Sequence, residues 1–346
     1  MKDYLSYDDV LLEPQYSDIR SRNEVNLRTD LGNGLVLSMP LIASPMDTIS
    51  ESPMAAVIGL EGGTAIIHRY NTIESQARMV SIAKDLAKNK NQEEIIVGAA
   101  VGVTDDFIKR SKALYDAGAS FLCLDVAHGH HVLMKDALKE LRQTFGAGFH
   151  LMAGNVATLE GINDLADWGA NSVRCNIGGG SICSTRIQTG HGVPGLQTIF
   201  ECSQTDREVT IIADGGIKNS GDMVKALAAG ADAVMCGSFL AGTDETPGKV
   251  LEESDGTRWK TYRGMASKEA QIGWRGKYSS HEGVSARIPY RGSVSKILED
   301  AKRGIRSGFS YSGARSINEL QSKARFIRQT NAGLYESHTH ITRKKW

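Results

Sequence analysis

TIIADGGIKNSGDMVKALAAGADAVMCGS, residues 210–238, decides the fold. Two apolar runs, Thr210–Asp214 and Ala233–Cys236, flank an amphipathic stretch, and both end in glycine turns. Apolar runs this short and this continuous read as strands covered on both faces, which is the pattern of a parallel sheet wrapped by helices. Working outward, six more such runs lie upstream: LIASPM from Leu41, TAIIHRY from Thr64, IIVGAAVG from Ile95, FLCLDVAHG from Phe121, HLMAGNVA from His150 and SVRCNIGG from Ser172. Segments such as TIESQARMVSIAKDLAKN, DDFIKRSKALYDAG and VLMKDALKELRQTFG, with apolar residues at helical spacing, lie between them.

Eight strands alternating with helices at roughly 25-residue spacing fit a closed (β/α)8 TIM barrel better than an open doubly wound sheet. An open nucleotide-binding sheet usually stops near six strands and carries GxGxxG after its first. The length of 346 residues suits two average domains or one large barrel, and no proline- or serine-rich linker interrupts the alternation. The expectation is one α/β catalytic domain over residues 1–346 with an insertion at about 241–292. In that insertion GTDETPGKVLEESDGTRWKTYRG reads as a hairpin turning at Asp255-Gly256, and KEAQIGWRGKYSSHEG, polar and glycine-punctuated, reads as a mobile flap. Two helices follow, SVSKILEDAKRGIRSGF and SINELQSKARFI, and then a basic tail.

Forty basic residues balance forty acidic ones, so no global field recruits nucleic acid or an anionic membrane. The amino terminus has no signal pattern and no apolar run approaches membrane-spanning length, which points to a cytoplasmic protein. The five cysteines lack CxxC spacing, which argues against a disulfide framework and against zinc. Cys123, Cys175, Cys202 and Cys236 read as buried small hydrophobes. Cys183 differs because it follows the glycine-rich run Gly178-Gly179-Gly180-Ser181-Ile182 and is flanked by hydroxyl residues.

Working residues of a barrel sit where strands end. Strand seven ends in Asp214-Gly215-Gly216 and strand eight in Gly237-Ser238, the two places where barrels commonly cradle phosphate on glycine amides. Either turn alone reads as a tight strand-to-helix connection. Asp214 repels a phosphate and suits ribose hydroxyls; its alternative role, capping the next helix, falls to the nearer Ser220. A thiol at Cys183 is a candidate nucleophile, with Thr185 placed to relay a proton, although GGGSICST by itself reads equally as a phosphate loop or a flexible turn. Asp125 ends strand four and Asn155 ends strand five, where they either orient a carboxamide or cap. His128, His130 and His131 lack the carboxylate spacing of a metal site and read mostly as solvated.

In order and spacing, SPMDT (44–48), LDVAHG, GNVAT, GGGSICSTR, IADGG, MCGS and YRGMAS (262–267) resemble the IMP dehydrogenase and GMP reductase family. The resemblance runs from Tyr7-Asp8-Asp9-Val10 to Glu336-Ser337-His338. It implies a usually tetrameric barrel in which a cysteine attacks C2 of a purine nucleotide and a nicotinamide exchanges hydride at that carbon. Carried over, it implies Cys183 as nucleophile with Thr185 and Glu282 moving protons. It further implies Ser181, Gly216, Gly237, Ser238 and Tyr262 at the phosphate, Asp214 at the ribose, Gly264, Met265 and Glu282 at the base, and Asp125 and Asn155 on the nicotinamide side. Ser44 and Met46 of the SPMDT motif join the substrate set. The family's potassium site is implied at the carbonyls of Gly178, Gly180 and Cys183, with Glu336, Ser337 and His338 from a neighbouring subunit.

Within the family, dehydrogenases activate water with an arginine-tyrosine pair on a long flap. The segment between Ala266 and Glu282 is short and its nearest candidates, Arg275 and Lys277-Tyr278, do not reproduce the pair. The inserted CBS domain pair is also missing, since His68-Arg69-Tyr70 runs into the next helix. Both features favour a reductase converting GMP to IMP and ammonia with NADPH. IADGGIKNSGD, MCGSFLAGTDETPG and ESHTH lie closer to dehydrogenases, which leaves IMP oxidation with NAD as the alternative. A nucleotide-binding barrel without activity and an unrelated flavin barrel are the other classes; selective protection of Cys183 by nucleotide tells against the first, and a colourless protein against the second.

Overall fold

The computed structural model describes residues 3–90, 94–278 and 282–339. Eight parallel strands close into a barrel: β1 (Leu41–Ala43), β2 (Thr64–Ile67), β3 (Val97–Val101), β4 (Phe121–Asp125), β5 (His150–Val156), β6 (Ser172–Cys175), β7 (Thr210–Asp214) and β8 (Ala233–Cys236). They pair in chain order, and β8 closes the ring on β1 with Val234 opposite Leu41. These are the eight strands read from the sequence.

Alternation along each strand divides the apolar residues between two cores. Ile42, Ile66, Phe121, Met152, Ile212 and Met235 fill the barrel, whereas Leu41, Ala65, Leu122, Leu151 and Val234 pack outward on the helices. Gly98 in β3 makes room for this filling, since a Cβ there would lie 2.3 Å from the Phe121 ring. The floor is sealed by a hairpin that precedes the barrel, Thr29–Asp30 paired with Val36–Leu37, whose Leu31 and Leu37 join the inner core. His150 ties that plug down: Nδ1 lies 3.3 Å from the Gly32 carbonyl and Nε2 lies 2.8 Å from Ser172 Oγ.

Helices start where short polar side chains satisfy free amides. Thr72 accepts from Ser75 N–H at the start of Ile73–Lys88, and Thr158 accepts from Gly161 N–H at the start of Leu159–Asp167. Asn219, not Ser220, caps the helix Ser220–Ala228, accepting from Asp222 N–H, so Asp214 has no capping duty.

The insertion carries more structure than a mobile loop. Leu251–Glu252 and Arg258–Arg263 form the expected hairpin, and Ser285–Pro289 pairs with Arg258–Arg263 as a third strand. Between them Lys268–Arg275 is a helix, capped by Ser267 Oγ accepting from Ala270 N–H and stopped by Gly276 in the left-handed conformation. After the insertion come Val294–Tyr311 and Ile317–Lys323; the last residues of the second expected helix instead form Phe326–Arg328, antiparallel to Val10–Leu12. Within the described residues no helix is long and apolar enough to cross a membrane.

Candidate active site

At the carboxyl ends of the strands lies a cavity of about 370 Å³, within the range of small-molecule sites. Every predicted catalytic, nucleotide and cofactor residue lines it, from Ser44 and Met46 after β1 to Glu282 on the flap. Residues β1 to β8 lie far apart in sequence, and barrel closure brings their ends together.

Cys183 is the one partly exposed cysteine; the other four are buried. Burial pushes the Cys123 thiol up to about 12 and raises Cys175 and Cys236 as well, so these thiols stay protonated and inert. The Cys183 thiol instead donates to Thr185 Oγ1 at 3.2 Å, and Thr185 Oγ1 donates to Glu282 Oε2 at 2.8 Å. The three groups form a directed hydrogen-bond chain from sulfur to carboxylate. Backbone bonds hold the flap in place for it: Ser184 N–H donates to the Glu282 carbonyl at 3.0 Å, and Val284 N–H to the Ile182 carbonyl at 3.1 Å.

The residues expected at the phosphate come together from four segments, the turns after β6, β7 and β8 and the flap hairpin. Tyr262 of the flap hairpin is buried, and its hydroxyl bonds Ser181 and Ser238; burial pushes it up to about 12, so it remains a donor at neutral pH. A Cβ at Gly237 would stand 3.0 Å from both the Tyr262 hydroxyl and Met46 Sδ, so the space beside this turn exists only because residue 237 is glycine. Gly216, with φ +75°, turns the chain after β7 beside the Gly179 carbonyl.

Arg174, not singled out from the sequence, is the electrostatic centre. Its buried guanidinium bonds Asp125 Oδ1 through Nη1 at 2.5 Å and Asp214 Oδ2 through Nε at 3.0 Å and Nη2 at 2.8 Å. Asn155 Nδ2 adds a third donor to the same Asp214 oxygen at 2.7 Å. Asn155 thus orients the Asp214 carboxylate as well as lining the cavity. All these contacts fall on Oδ2, and Asp214 itself lines the cavity. A charged residue inside a fully buried strand was the signal for Arg174.

Arg69, Tyr70, Asp125, Gln271 and Arg275 also line the cavity. Tyr70 and Trp274 of the flap helix stack with ring centroids 4.2 Å apart and 13° between planes. Arg275 packs on Trp274 at 4.5 Å and bonds the Tyr70 hydroxyl, whereas Tyr278 is exposed beneath Lys268.

Gly178, Gly180 and Cys183 lie together in the loop, but Glu336, Ser337 and His338 are exposed on and after the helix Asn331–Glu336 and do not line the cavity of their own chain. Among the described residues no His, Cys, Asp or Glu cluster suits a metal ion. Of the clustered histidines, His128 and His131 are exposed; His131 caps the helix Val132–Phe145, and the half-buried His130 pairs with Asp164 at 2.8 Å. His281 lies outside the described residues, as does the basic tail.

The comparisons agree with this geometry. Residues 4–340 match the IMP dehydrogenase / GMP reductase domain. The chain is 34% identical to inosine-5'-monophosphate dehydrogenase of Nitrosopumilus maritimus, with 98% of each covered. It is 33% identical to GMP reductase of Leishmania donovani, over 97% of this chain and 96% of that protein. A crystal structure of a cysteine-to-alanine variant of GMP reductase from Trypanosoma brucei, in complex with guanosine 5'-monophosphate, superposes with a TM-score of 0.93 at 32% identity, 98% of both chains being covered. By sequence and by fold, the chain belongs to the IMP dehydrogenase and GMP reductase family.

Proposed function

We propose that this chain is a GMP reductase, converting GMP to IMP and ammonia with NADPH. The observation that carries the reading is the Cys183–Thr185–Glu282 chain, together with a flap whose Arg275 and Tyr278 are turned to different partners. A site that forms a covalent nucleotide without a water-activating pair suits departure of ammonia and arrival of hydride better than hydrolysis.

Cys183 adds to C2 of GMP as its proton passes to Thr185 and on to Glu282. The C2–N bond then breaks, the proton returning by the same route to the departing ammonia, which leaves a thioimidate on Cys183. Reduced nicotinamide, when bound, supplies hydride to C2; the C2–S bond breaks and IMP departs. Ser181, Gly216, Gly237, Ser238 and Tyr262 hold the phosphate, Asp214 the ribose, and Gly264 and Met265 the base. The part of the lining formed by Asp125, Asn155 and the cationic Arg69 fits a polar carboxamide and an anionic dinucleotide. Carbonyl oxygens of Gly178, Gly180 and Cys183 suit a weakly held potassium ion, with Glu336, Ser337 and His338 of another copy completing it in a cytoplasmic homotetramer.

One contact favours the second reading, oxidation of IMP with NAD. Arg275 meets a tyrosine after all, Tyr70 of the barrel, at the cavity wall. Absorbance of reduced nicotinamide separates the two. A fall with GMP and NADPH establishes the reductase; a rise with IMP, NAD and potassium establishes the dehydrogenase and makes Arg275 and Tyr70 the pair to replace.

A further inference from the structure

The flap is fastened to the barrel at a point the chemistry above does not use. Asp47, in the turn after β1, takes Nε and Nη2 of Arg263 on its single oxygen Oδ2, at 3.0 and 2.5 Å. Its side chain is 8% exposed, and its other oxygen has no hydrogen-bond partner among the described residues. The charge of this buried carboxylate is therefore matched by Arg263 alone, an arrangement that holds both groups firmly, because separating them strands a charge away from water. Thr48 Oγ1 accepts from Arg263 N–H at 3.2 Å, and Asp47 N–H points at Met265 Sδ, also at 3.2 Å.

Two residues of the β1 turn thus grip Arg263 and Met265, and Gly264 lies between them. Gly264 and Met265 face the cavity from above, and Met46, next to Asp47, faces it from the barrel side. The backbone bonds of Gly264 stay within the flap, its N–H donating to the Val284 carbonyl at 3.1 Å and its carbonyl accepting from Ser267 N–H at 2.9 Å. Asp47 and Thr48 thus anchor Gly264-Met265 on the β1 side of the cavity, as the Ser184–Glu282 and Val284–Ile182 bonds hold the flap at the cysteine loop.

We infer that Asp47 and Arg263 are positioning residues for purine base recognition, holding Gly264-Met265 against the base while leaving phosphate affinity and thiol chemistry to other groups. The inference rests on the nucleotide reading above and is independent of the direction of hydride transfer.

Calorimetry on the full chain tests it with GMP, IMP and ribose 5-phosphate. Asp47→Asn keeps the shape and removes the charge; its Kd for GMP and IMP rises about tenfold, while that for ribose 5-phosphate stays within twofold. Arg263→Lys keeps the charge without the fork and falls between wild type and Asp47→Asn. Thr48→Val, which removes one hydroxyl and spares the ion pair, shifts GMP alone in the same direction by a factor of about three. In turnover, the KM for GMP follows these changes, and kcat at saturation stays within about threefold. Equal weakening of GMP and ribose 5-phosphate, or unchanged GMP affinity in all three variants, overturns the inference and leaves the nucleotide reading standing. Wild-type protein that binds neither nucleotide overturns both.

Discussion

Thr185 Oγ1 donates to Glu282 Oε2 at 2.8 Å although 97 residues separate them in the chain. The contact joins the cysteine loop of the barrel to the flap, so the carboxylate proposed to move protons is supplied by the flap and the groups it serves by the barrel.

Removing either end of this relay costs turnover and spares binding. Glu282→Gln keeps the shape and loses the base; kcat falls about 10²–10⁴-fold, with the KM for GMP changed by only a few fold. Thr185→Val gives a similar loss, and the double variant adds little because the groups act as a unit. Cys183→Ala abolishes turnover and still binds nucleotide. Steady-state rates and calorimetry check all four, and normal turnover in Cys183→Ala ends the covalent mechanism.

Arg174 neutralises two carboxylates in the barrel interior, so its loss is felt in stability first. Arg174→Met leaves Asp214 without its cation and Asp125 with only Arg69, at 3.8 Å, and costs about 3–5 kcal/mol, read by urea unfolding. Arg174→Lys keeps a charge but cannot fork between the two acids. It folds, and its KM for nucleotide rises because Asp214 is no longer aimed.

The stack of Tyr70 on Trp274 predicts a measurable grip on the flap. In a double-mutant cycle, Tyr70→Ala and Trp274→Ala couple by about 0.5–1.5 kcal/mol, read from the rate at which trypsin cuts after Arg275 and Lys277. Trp274→Phe, which preserves stacking, cuts at nearly the wild-type rate. Additive effects would mean that the two rings are neighbours without being a fastening.

His150 makes the barrel floor sensitive to acid. Burial pushes its imidazole down to about 4, against about 6.5 in an unfolded chain. Between these values the unfolded chain binds a proton that the folded one refuses, so this contribution is complete above pH 6.5 and lost as pH falls towards 4. Its ceiling is about 3 kcal/mol. The difference in unfolding free energy between wild type and His150→Gln, followed from pH 7 to pH 4, should shrink by an amount of that order; a constant difference refutes the assignment.

Much of this molecule was legible because a parallel barrel strand is apolar on both faces, and eight such runs stand out as one pattern. The cysteine loop and the glycine turns were legible for a related reason, since glycine marks places where backbone must approach a ligand or turn sharply. Arg174 escaped because a strand reading looks for apolar runs and passes over the one residue that breaks them. The flap helix escaped because it is eight residues long and contains a glycine, too short a stretch to show a helical repeat, although Ser267 before it and Gly276 after it are ordinary start and stop signals. The floor hairpin had its signal too, in Gly32-Asn33-Gly34, but what it plugs depends on contacts with Phe121 and Met152 that no local pattern contains.

That plug leaves the cavity a single side of approach. Side chains fill the barrel and Leu31 and Leu37 stop its far end, so whatever reaches the strand ends enters and leaves past the flap.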